Sequence, residues 1–278
     1  MVDTHITGVN WIELPAGKWS LRTRGEAISN SQIECDIYYE DLVSHAPEAN
    51  WSHIAPLRVL SFDIECAGRK GVFPEAQHDP VIQIAAVVTV QGEFTPLIRT
   101  IFTLNSCAPI VGAEVLCFES EVELLNSFGE FFQIVDPDVV IGYNIANFDF
   151  PYLLDRATAI KASKFPFLGR ISASQTKAKD TTFSSKAYGT RESKTINLDG
   201  RIIFDILQVM QRDYKLRSYS LNSVSAHFLN EQKEDVPHGI ITDLFQGNDE
   251  TRRRLAVYCL KVPVVLPISY KKCCFISL

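Results

Sequence analysis

Asp63 and Glu65 lie two apart in an otherwise apolar run, Val59-Leu60-Ser61-Phe62-Asp63-Ile64-Glu65-Cys66. In an extended chain alternate side chains share a face, so both carboxylates point one way while Leu60, Phe62 and Ile64 point the other. Two like charges buried side by side in a sheet are costly unless a cation lies between them. The pattern fits a divalent-metal site, and it also fits an edge strand carrying two solvated acids. A third acid, Asp149, opens the run Phe150-Pro151-Tyr152-Leu153-Leu154. Pro151 favours the first turn of a helix, and the helix dipole there favours an ionised carboxylate. The plain role for Asp149 is an N-cap. Acids brought together from these places could hold two divalent ions that activate a water and stabilise the leaving oxygen of a phosphodiester. An all-oxygen shell suits Mg2+.

The elements around these residues decide whether the acids meet. After the acidic strand comes a second apolar run, Val81 to Val88, then a turn at Gln91-Gly92-Glu93 and a third run from Leu97 to Leu104. Three consecutive strands of this kind form an antiparallel meander. Ser120-Glu121-Val122-Glu123 reads as a capping box, and Val122, Leu125, Phe128, Phe131, Phe132 and Val135 recur at helical spacing until Asp136-Pro137. Val139 to Tyr143 is a short buried strand. The polar stretch from 169 to 200, with Lys177, Lys179, Lys186, Arg191 and Lys194, predicts a mobile loop or exposed hairpin, with phosphate contact as the sharper option. Arg201 to Asp205 reads as a core strand feeding a helix through Met210, and Ser220 caps a further helix. A last helix opens at Asn248 or Asp249 and runs to Lys261, with Arg252, Arg253 and Arg254 on its outer side.

At 278 residues and 46% hydrophobic content the chain can bury a substantial core. No stretch approaches the roughly 18 to 20 apolar residues of a membrane span, and Met1 to His5 lacks the pattern of a secretory signal, which predicts a soluble intracellular protein with no membrane partner. Seven cysteines with no Cys-x-x-Cys pair signal neither a zinc site nor a disulfide framework. A net charge of −6 argues against a broad nucleic-acid coat but leaves room for a strand held at a local basic rim or by bound cations.

Ser61-Phe62-Asp63-Ile64-Glu65-Cys66 and Gly142-Tyr143-Asn144-Ile145-Ala146-Asn147-Phe148-Asp149 resemble the first two exonuclease motifs of the family B DNA polymerases. Cys107-Ala108-Pro109-Ile110-Val111-Gly112 and His78-Asp79-Pro80-Val81-Ile82-Gln83-Ile84 narrow the resemblance to the delta branch of that family in eukaryotes. It covers roughly residues 5 to 261.

The resemblance implies an α/β (α+β) architecture: a small strand-rich amino-terminal portion over 1–56, a ribonuclease-H-like exonuclease domain with a mixed sheet over 57–261, and a divergent tail over 262–278. It also implies a nuclear 3'-5' proofreading exonuclease acting in DNA replication on a single-stranded 3' end, with two Mg2+ or Mn2+ ions. By the same resemblance Asp63, Glu65 and Asp149 match the metal-binding acids, Asn144 and Phe148 help seat the strand end, and the segment from 169 to 200 corresponds to a strand-separating hairpin.

Two departures stand out. The family continues into palm, fingers and thumb where this chain reaches Leu278, so neither a polymerase site nor the binding region for accessory subunits is expected. The family's third motif is a Tyr followed four residues later by Asp, whereas Tyr258 is followed by Val262. Pro263 adds to this by favouring a helix end before that position. The expectation is an impaired exonuclease with Asp63, Glu65, Asp149 and Tyr258 as its catalytic residues. The alternatives are a catalytically silent module that binds nucleic acid or a partner, and an unstable product without function.

Overall fold

The computed structural model describes residues 6–8, 10–93, 95–185, 189–229 and 238–275; the amino-terminal Met1 to His5, Lys186 and the last three residues of the tail lie outside them. Four short strands come first, β1 (Trp11–Glu13), β2 (Trp19–Leu21), β3 (Cys35–Ile37) and β4 (Val43–His45), paired as β1 with β4 and β2 with β3. The main sheet follows with β5 (Arg58–Cys66), β6 (Val81–Val90), β7 (Ile98–Leu104) and β8 (Glu114–Phe118). Beyond it come α1 (Glu121–Val135), β9 (Val139–Gly142), α2 (Asp149–Ala159), the hairpin β10 (Lys177–Ser185) and β11 (Gly189–Asn197), then β12 (Ile202–Asp205). Four helices close the order: α3 (Ile206–Asp213), α4 (Leu221–Leu229), α5 (His238–Gln246) and α6 (Asp249–Phe275).

Six strands make one mixed sheet in the order β12-β9-β5-β6-β7-β8. β5, β6 and β7 are the expected antiparallel meander, while β9 lies parallel to β5 and β12 parallel to β9. β8 adds a parallel edge to β7 that the sequence did not announce. Leu60, Phe62 and Ile64 of β5 join Leu124, Phe128 and Phe132 of α1 and Phe150 and Leu153 of α2 in the largest core cluster. Phe128 anchors it, fully buried with ring centroids 5.7 Å from Phe62 and 5.5 Å from Phe102. The opposite face of the sheet is covered by α6. β6 is buried along nearly its whole length because both its faces are covered, so its sequence is an unbroken apolar run and not an alternation.

Three expectations are corrected. α6 does not stop before Pro263 but continues through Pro263 to Phe275. An interior proline costs about 3 kcal/mol and the helix crosses two, Pro263 and Pro267; burying the Val262 side chain returns roughly 1.5–3 kcal/mol and offsets part of this. Val262 is 3% exposed, against Val59, Val139, Ile141 and Met210. Arg252 does not face outward: it is buried and donates to the carbonyls of Ser106, Phe245 and Gly247, while Arg253 and Arg254 are exposed. Nor does Ser120 cap α1 with its side chain. The acid at the front of that helix is spent differently, since Glu121 accepts from the Val81 amide (2.8 Å) and pairs with Arg156 of α2 (2.7 Å).

Candidate active site

Strand alternation sends Asp63 and Glu65 to the α6 face of the sheet, opposite Leu60, Phe62 and Ile64. There one carboxylate oxygen from each and the Sγ of Cys259 all lie within 4.8 Å of one another. Cys259 reaches down from α6, and its thiol donates to the Asp63 carbonyl at 3.7 Å. Close approach of the helix is possible because Ala85, the register partner of Asp63, and Ala256 are small where the two elements meet.

Asp149 is the first residue of α2, with Phe148 as the N-cap. It is 2% exposed, and among the described residues its Oδ1 has no hydrogen-bond partner. Burial pushes its carboxyl well above the usual carboxylate range, and the charge of Asp63 pushes it further; the Asp149 and Ile64 amides act in the opposite direction. A buried acid held beside a second acid with an unbonded oxygen fits a cation in the gap. The carboxylates of Asp63 and Glu65 suit a divalent ion; Asp149 lies outside the group of atoms that fall within 4.8 Å of one another.

The loop between β9 and α2 carries the remaining candidates. Gly142 ends β9 where an added Cβ would fall 1.9 Å from Ile145 Cγ2, so only glycine lets the loop fold back. Asn144 takes a left-handed backbone (φ 63°), its side-chain oxygen accepts from Asn147, and Asn147 Oδ1 accepts from the Lys194 amide of β11 at 2.9 Å. Phe148 packs edge-on to the exposed Phe73 with centroids 5.5 Å apart. Tyr258 is half-buried beside Ile82, Ile241, Leu244 and Leu255. Four residues on, Val262 sits in a different apolar cluster, and Cys259 between them is the one at the acids.

Two residues near the site escaped the sequence reading. Asp205 accepts hydrogen bonds from the amides of Asn144 (2.8 Å), Ala146 (3.1 Å) and Leu207 (3.0 Å), tying the loop to the end of β12 and capping α3. Burial raises its carboxyl, with those amides opposing. The only signal in the sequence was an acid where strand gives way to helix. For Cys259 no signal existed beyond its place next to Tyr258.

Comparison with known proteins agrees with this geometry. The family model described as DNA polymerase family B, exonuclease domain, matches residues 1–224. The DNA polymerase delta catalytic subunit of Glycine max is 61% identical over 261 residues, covering 94% of this chain and 24% of that protein. That of Candida albicans is 59% identical over 261 residues (94% and 25%). That of Schizosaccharomyces pombe is 56% identical over 279 residues (100% and 26%). The chain spans about a quarter of the length of these relatives. With the acid-bearing strand, the glycine-hinged loop and the mixed sheet all in place, and a family model matched over most of its length, the chain belongs to the exonuclease-domain family of the family B DNA polymerases.

Proposed function

We propose that this chain is a 3'-5' exonuclease module of a replicative DNA polymerase of the delta type, removing terminal nucleotides from the single-stranded 3' end of DNA. The observation that carries the reading is the pair of carboxylates of Asp63 and Glu65, within 4.8 Å of each other on one face of β5, with the buried Asp149 carboxyl pushed up in part by the charge of Asp63. Asp63, Glu65 and Asp149 are the residues that would hold the metal, two Mg2+ or Mn2+ ions. Bound there, the ions would polarise a water and the scissile phosphate oxygen. Asn144 and Phe148 seat the terminal nucleotide, with the exposed Phe73 extending the aromatic surface on which a base can stack. Its place of work is the nucleus.

Val262 stands where the third motif of the family has its acid, and loss of one preorganised charged group costs roughly 100-fold to 1,000-fold in rate. Hydrolysis should therefore be slow, and should proceed stepwise from the 3' end of a 5'-labelled oligonucleotide in Mg2+ or Mn2+. It should stop in chelator and in Asp63→Ala and Asp149→Ala. Metal-independent cleavage, or full activity in Asp63→Ala, would sink the assignment. The apolar packing of Val262 also favours a second reading, a catalytically silent module that still binds DNA. Oligonucleotide binding by fluorescence anisotropy with no cleavage at any metal concentration would select it.

A further inference from the structure

We propose that Cys259 turns this acidic pair into a mixed sulfur-oxygen site that takes a thiophilic divalent ion, Zn2+ above all, on Cys259 Sγ and one carboxylate oxygen each of Asp63 and Glu65. The inference rests on the reading of Asp63 and Glu65 as metal-facing acids and adds to it a ligand and a preference among metals.

The three ligand atoms already lie within 4.8 Å of one another. Zinc bonds of about 2.3 Å to sulfur and 2.0–2.2 Å to oxygen put tetrahedral neighbours roughly 3.5 Å apart, so side-chain rotations that draw the atoms together by about 1 Å complete the set. The group that lies within 4.8 Å is made of Asp63, Glu65 and Cys259, without Asp149. A buried cysteine is ordinarily a small apolar filler. Cys259 departs from that role in its neighbours: it is fully buried, yet its sulfur lies within 4.8 Å of two carboxylates, on the face of β5 that carries both acids. Its position is also fixed, since α6 is drawn onto the sheet at Ala85 and Ala256 and the thiol is held at the Asp63 carbonyl.

The chemistry of the donors sets the preference. Mg2+ gains little from sulfur, whereas Zn2+ gains strongly from a thiolate, and the thiol gives its proton to solvent as the sulfur-metal bond forms. A site of two carboxylates alone would be a weak, hard-metal site; the added sulfur shifts its selectivity toward zinc.

Cobalt(II) is the probe, because a thiolate on cobalt gives an intense near-ultraviolet charge-transfer band that a carboxylate does not. Titrating Co2+ into the whole chain should raise this band to saturation at one ion, and Zn2+ should erase it where equal Mg2+ does not. Cys259→Ser and Asp63→Asn should each abolish it. Zn2+ affinity by calorimetry should fall in Cys259→Ser by at least as much as loss of an outer partner costs, roughly ten- to a hundredfold. Cobalt binding heat without the band, or a band that survives Cys259→Ser, overturns the proposal by assigning the metal to oxygen alone or the sulfur to another cysteine. If neither Mg2+, Co2+ nor Zn2+ gives binding heat, the acids hold no metal and the underlying reading fails with it. Should Cys259→Ser not fold by circular dichroism, Asp63→Asn in the otherwise unaltered chain decides, since a band that persists there is not at this site.

Discussion

Asp149 carries a conflict that protonation or a bound cation resolves. Its folded pKa is raised, by burial first and then by Asp63, so in the metal-free chain it stabilises the fold below the unfolded carboxylate value near 4 and withdraws that stability as pH rises through the folded one. In chelator the melting temperature should therefore carry a downward slope toward neutral pH from this group. Asp149→Asn should flatten the slope and melt higher at pH 7, and it should lose the stabilisation that Mg2+ gives the unaltered chain; thermal melts with and without metal measure both. Val262→Asp tests the neighbouring question. A carboxylate placed among Val59, Val139 and Ile141 should cost about 3 kcal/mol by urea titration in chelator, and Mg2+ should return part of it only if that carboxylate reaches the ions. The placement of the acids was legible, Asp63 and Glu65 on one face of a strand from a period of two and Asp149 at a helix start. Asp205 was not, because the amides it holds lie 61 and 59 residues earlier, and no local pattern encodes a partner at that distance.

At the scale of elements, the β9-α2 loop depends on a single absent side chain. Gly142→Ala would drive a methyl group into Ile145, and relief requires the loop carrying Asn144 to move. The expected cost is about 1–3 kcal/mol of stability, with a loss of nuclease rate larger than the stability loss explains. Chemical denaturation and a single-turnover assay on the same preparation separate the two. The meander, α1, β9, α2 and the β12-α3 unit were legible because their periodicity and their stops agree. β8, whose burial does not alternate along the strand, was not, and neither was α5. α6 was misjudged at its end because Pro263 speaks against a helix locally, while the packing of Val262 against β5 and β9 acts through residues about 120 to 200 positions away.

Across the whole molecule, charge is buried where layers join. Asp136 holds Arg170 at 2.8 Å and Arg201 at 2.6 Å, and Arg201, fully buried, also lies over the Phe132 ring and donates to the carbonyls of Leu168 and Pro137. Burial alone would raise the Asp136 carboxyl, but hydrogen bonds from the two arginines reverse this and leave it below its usual range. A depressed folded pKa contributes stability above the unfolded value that is lost as pH falls through the folded one. Asp136→Asn should thus cost about 2 kcal/mol at pH 7, less than a fully enclosed pair because Asp136 keeps some solvent contact, and clearly less near pH 2, by urea midpoints at the two pH values. This network was invisible in sequence, since its members come from the α1 end, the approach to the hairpin and the start of β12. Among the described residues the hairpin meets the site loop through the Lys194 N–H, which donates to Asn147 Oδ1. That amide is a ready-made reporter. In an isotope-labelled sample its proton resonance and exchange rate would register the docking of β10 and β11, shift in Asn147→Ala, and move when DNA enters beside Asn144, so one signal follows strand capture without any label attached to the nucleic acid.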